Sequence, residues 1–134
     1  MKTVIKLVII FTLFSLSIVI TSAKENPKLN ENNVATLMTG IKSENEGLMR
    51  SAIFMAGKYK VEETIEVLLE VFESESDPSN LILVAMAIYR IGNQEAMMKV
   101  IEAANYTENM HAKNILSAIS MNYLVENEIP FALR

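Results

Sequence analysis

The sequence contains no cysteine, no tryptophan and a single histidine in 134 residues. Without cysteine there is no disulfide framework, no thiolate metal site and no thiol redox couple. His111 stands alone, so the residue that most often ligates metals or shuttles protons near neutral pH forms no cluster. Four glycines are scattered along the chain, and none builds a phosphate-cradling loop. No serine sits in a nucleophile motif. Positive charge is scarce too, with 12 Lys and Arg against 16 acids and a net charge of −4. That balance opposes binding to nucleic acid, which is driven by cationic contacts to phosphates. What the chain does have is apolar residues, 51% of the total. This is enough for a small core and too much for long disorder.

The start of the chain reads as an export address. Lys2 and Lys6 precede an apolar run over residues 7–20, and Thr21, Ser22 and Ala23 offer small residues for cleavage. A charged start, a short apolar middle and a small-residue end are the three parts of a secretory signal. Cleavage after Ala23 leaves 111 residues, 10 basic and 16 acidic, with a net charge of −6. If uncleaved, the segment is the chain's one route to membrane attachment, though its apolar run is shorter than the ~20 residues of a comfortable span. The expected location is periplasmic or secreted.

Beyond a polar linker at 24–31, the spacing turns helical. Val34, Leu37, Met38 and Ile41 share one face. Ser43 and Glu46 have the spacing of a capping box. Leu48, Met49, Ala52, Ile53 and Ala56 form the next stripe, and Gly57 is expected to stop that helix in a left-handed cap. Val61, Ile65, Leu68, Leu69 and Phe72 follow. Asp77 is placed to cap a further helix with Pro78 at its first position. Leu81–Ile88 is an unbroken apolar run bounded by Asp-Pro and Gly92. Its length and its Ala85, Met86 and Ala87 favour a buried central helix over a strand. Asn93 is expected to cap a helix with Met97, Val100, Ile101 and Ala104 inward. Thr107 is expected to cap a last one with Ala112, Ile115, Leu116, Ile119 and Tyr123 inward. The chain thus divides into a signal peptide at 1–23, the linker at 24–31, a helical domain at 32–126 and a tail at 127–134.

The helical domain repeats internally. Ala52-Ile53-Phe54 and Gly57 recur as Ala87-Ile88-Tyr89 and Gly92, 35 positions later, while Leu68-Leu69-Glu70 recurs as Val100-Ile101-Glu102, 32 positions later. Helix pairs joined by tight turns are the signature of an α-solenoid, in which stacked units share one core. The stretch from Asp77 to Met97 resembles a HEAT-like repeat. Asp77, Pro78, Ala85, Ala87, Ile88, Ile91, Gly92 and Ala96 all stand in the family's register. The resemblance implies an all-α fold, a short right-handed α-α superhelix of antiparallel helix pairs of the armadillo-like kind. Leu81 stands where the family carries an arginine, so its polar ladder between repeats is not carried over. Iron-binding relatives use His-Glu pairs, which this chain lacks, so that activity is not carried over either.

The expected function is non-catalytic binding of a protein or peptide, with no cofactor and no metal. The candidate contact residues are Glu63, Glu66, Glu70, Glu95, Met98 and Glu102. On a stacked pair of helices these would form an acidic ridge for a basic partner, with Met98, Val67 and Val71 as apolar contact between the acids. The same acids also suit the solvated side of ordinary amphipathic helices. Self-association is the competing reading, because solenoid ends need covering.

Overall fold

The computed structural model describes residues 30–129. The expected signal peptide at 1–23, most of the linker and the end of the tail lie outside the described residues. Within them the chain is all-α, with six helices and no strand. These are α1 (Glu31–Ile41), α2 (Glu46–Tyr59), α3 (Ile65–Ser74), α4 (Pro78–Ile91), α5 (Gln94–Tyr106) and α6 (Met110–Glu126). A 3-10 turn at Glu62–Thr64 leads into α3.

Short polar side chains start the helices. Asp77 Oδ1 accepts from the backbone N–H groups of Ser79 and Asn80 at 2.9 and 3.0 Å, with Pro78 at the first position as expected. Asn45, Asn93 and Asn109 each accept one such bond, from Leu48, Ala96 and Ala112. Each bond satisfies a donor that the helix leaves orphaned. Two expected caps are therefore corrected. Ser43 does not cap α2; its Oγ accepts from the Asn45 N–H, and Asn45 is the cap. Thr107 ends α5, while Asn109 caps α6. In both places asparagine lies closer to the first helical turn than the hydroxyl residue does.

The even-numbered helices stack in a row, α2 on α4 on α6. The odd-numbered helices pack beside them as α1 with α2, α3 with α4 and α5 with α6. Ile41, Ile53, Leu68, Val84, Ile88, Met97, Val100 and Leu116 are fully buried between the two rows. The stripes read from the sequence supply this core. Leu48 is an exception, because it is exposed on the outer side of α2.

The repeat has one period rather than two. The caps of α2, α4 and α6 stand at 45, 77 and 109, an even step of 32 residues. The expected stop at Gly57 is the reason for the apparent step of 35. Gly57 does not end α2, which continues to Tyr59 and closes on Lys60 in the left-handed conformation, φ 53°. Lys60 is the positional equivalent of Gly92, which closes α4 at φ 85°. Gly57 instead lies where α2 crosses α4. A Cβ there would come within 2.8 Å of the Ala87 Cα. Gly40 plays a similar part between α1 and α2, 2.9 Å from the Ala52 Cβ by the same measure.

Polar links also cross the stack. Leu81 leaves the family's arginine position empty, and Arg50 of α2 donates instead to Oδ1 of the buried Asn80 on α4. The next crossing uses Tyr89 of α4. Its ring meets that of Tyr123 edge-on at 6.4 Å, and its hydroxyl donates to Glu126 Oε2 at 2.7 Å.

Candidate functional site

Helix α5 presents an amphipathic surface beside α3. Met97, Val100, Ile101 and Ala104 point into the core, fixed by the helical period. That leaves Glu95, Met98, Lys99, Glu102 and Asn105 on the outward side. A surface groove of about 480 Å³ runs along this side, lined by Glu95, Met98, Ile101, Glu102 and Tyr106 among others. A second groove, about 490 Å³, lies between the end of α3, the start of α4 and α5. Phe72, Leu81 and Ala103 give it apolar walls, and Glu73, Lys99, Glu102 and Tyr106 a polar rim. Lys99, Glu102 and Tyr106 belong to both grooves.

Of the six candidate residues, Glu95, Met98 and Glu102 come together on one groove. Glu63 and Glu66 are exposed, the first on the 3-10 turn and the second on the opening turn of α3, and line neither groove. Glu70 is occupied by a cation of this chain, with Lys42 Nζ at 2.6 Å from its Oε2. Glu73 is similarly met by Lys99 Nζ at 3.6 Å. The acidic surface is therefore interrupted by two lysines that bridge from neighbouring helices. Both pairs are open to water, so each contributes little to stability. Met98 is half-buried against the core, with part of its side chain left at the groove. Val67 is buried and offers no contact between the acids, while Val71 is half-buried.

Two residues of this surface were not legible beforehand. Tyr106 is 78% exposed at the end of α5, where an aromatic ring stands between the two grooves. Lys99 sits among Glu73, Glu95 and Glu102. The signal for Tyr106 was an aromatic residue off the buried stripe of its helix. For Lys99 no local signal exists, because its partner Glu73 comes from another helix.

The surface can hold a side chain or a short peptide, by apolar contact flanked by charge. His111 is exposed on the first turn of α6. Among the described residues, no three His, Asp or Glu side chains are placed to share a metal ion. Among them, too, no helix is long and apolar enough to cross a membrane. Protein-family models, curated proteins and solved structures yield no match to this chain.

Proposed function

We propose that the chain is a non-catalytic, HEAT-like module that binds a protein or peptide of basic character outside the cytoplasm. The observation that carries this reading is the meeting of Glu95, Met98 and Glu102 with the exposed Tyr106 on one groove. An exposed aromatic beside a partly buried methionine supplies contact area, and flanking carboxylates select for positive charge. The regular stack of helix pairs supports the HEAT-like part of the reading. The charged, apolar and small-residue parts of the first 23 residues support export. The absence of a nucleophile motif from the sequence supports a non-catalytic role.

The test is a titration of short peptides that carry Lys or Arg beside an aliphatic or aromatic residue, followed by fluorescence anisotropy. Binding is expected to weaken as salt screens the carboxylates. Tyr106→Ala and Met98→Ala are each expected to weaken it by roughly tenfold. Paired Glu95→Gln and Glu102→Gln substitutions are expected to act mainly on the association rate. If all these variants bound as the unaltered protein does, the groove would not be the site.

A further inference from the structure

The 32-residue period says what each face of a stacking helix is for, and it identifies two faces that lack their partner. Consider first the side of α2 that meets α4. Arg50 reaches Asn80, the Phe54 ring lies 5.9 Å from the Arg90 guanidinium, and Gly57 lies against Ala87. One period later, Gly57 becomes Tyr89, which meets α6 through Tyr123 and Glu126. Two periods later, Arg50, Phe54 and Gly57 become Asn114, Ala118 and Met121 of α6. All three are exposed, Met121 at 42%. The last helix thus keeps the face on which another unit would stack.

The opposite side follows the same rule. Asn80, Leu83 and Ala87 lie on the side of α4 that approaches α2. Their equivalents on α6, which packs on α4, include Ala112 and Ile119, both buried. Their equivalents on α2 are Leu48, Ser51 and Met55. All three are exposed, Leu48 at 54% and Met55 at 37%, and they line an apolar groove of about 350 Å³ beside α1. Neither trio contains a charged residue, although charged residues make up 21% of the chain. An uncharged, partly apolar face is unusual for a surface meant for water, and it lets two acidic copies approach without repulsion.

We infer that the occupant of each face is a second copy of this chain, stacked head to tail. The α6 face around Met121 of one copy receives the α2 face around Met55 of the next. The argument is continuity: α2 on α4 and α4 on α6 already make this contact twice within one chain, and the third repetition needs another molecule. Such a contact is heterologous, so it propagates into rings or filaments unless something caps it. The peptide groove on α5 plays no part in it.

The test uses the protein as its host delivers it, followed by sedimentation velocity over a wide concentration range. The unaltered protein is expected to form species larger than dimers as concentration rises. Met55→Glu and Met121→Glu each place a charge on an exposed position and are expected to weaken association by roughly 30-fold or more. The two variants mixed in equal amounts are expected to form a dimer and stop there, because only one intact face of each remains. Circular dichroism melts of the single variants confirm that the fold is kept. A strict monomer at every concentration would overturn the inference, including one whose own N-terminal residues cover the α2 face. So would a variant that associates normally, which would mean that like faces pair, and so would a mixture that stays monomeric.

Discussion

Helices α2 and α4 are built on the same plan and use glycine for opposite reasons. In α4, Gly92 ends the helix at φ 85°, and nothing lies within 4 Å of where a Cβ would be. It is needed for its backbone freedom. In α2, Gly57 has an ordinary helical backbone, and a Cβ would strike the Ala87 backbone. It is needed for its lack of a side chain. The left-handed position of α2 falls to Lys60, which tolerates it with strain that glycine would avoid. Two glycines in matching sequence motifs are therefore not matching positions in the repeat.

The comparison is broken most severely by Gly57→Val. A β-branched side chain cannot retreat from the Ala87 backbone, so α2 and α4 must separate. The expected loss is about 3 kcal/mol, read from the midpoint of denaturant unfolding. An unchanged midpoint would mean that the crossing is looser than the structure shows. The turn positions sharpen the contrast. Gly92→Ala is expected to cost about 1–2 kcal/mol through the backbone alone. Lys60→Gly is expected to have the opposite sign and to stabilise by roughly 0.5–1 kcal/mol, since it relieves the same penalty. The same melts or denaturant curves measure both, and equal signs would refute the assignment of Lys60 and Gly92 as equivalents.

The smallest effect concerns the other crossing, α4 on α6, where Tyr89 stands in the register position of Gly57. Its hydrogen bond to Glu126, the burial of its ring and the nearby carboxylate charge together raise the Tyr89 phenol above its ordinary 10.0. Burial pushes Tyr123 in the same direction. A folded state that holds these protons more tightly than the unfolded chain keeps its full stability below pH 10. It loses that part as pH rises through the higher folded values. Tyr89→Phe is expected to cost about 0.5–1 kcal/mol at neutral pH and to flatten the alkaline decline. Thermal melts from pH 8 to 11 would show both. An unaltered alkaline slope would mean that Tyr89 does not couple to folding.

Much of this architecture was legible in the sequence. The apolar stripes placed the core, because the helical period decides which side chains share a face. Asp77 and Pro78 announced the start of α4, since a cap acts within three or four residues of itself. The long run at Leu81–Ile88 announced the most surrounded helix. The acids around α5 could be named as well, and three of the six candidates do meet on one groove.

The tertiary structure decided the rest. A helix crossing brings together residues 30 positions apart, and no local pattern reports that Gly57 lies on Ala87. The pairing of Glu70 with Lys42 and of Glu73 with Lys99 depends on neighbouring helices, as does the substitute polar link from Arg50 to Asn80. The same holds for exposure: Leu48 and Met121 look like the core residues of any amphipathic helix until the stack runs out on either side of them. Local hydrogen bonding and periodicity are written residue by residue, so the sequence determined the helices and their caps. Close approach and burial are properties of pairs of helices, so only the packed fold could assign them.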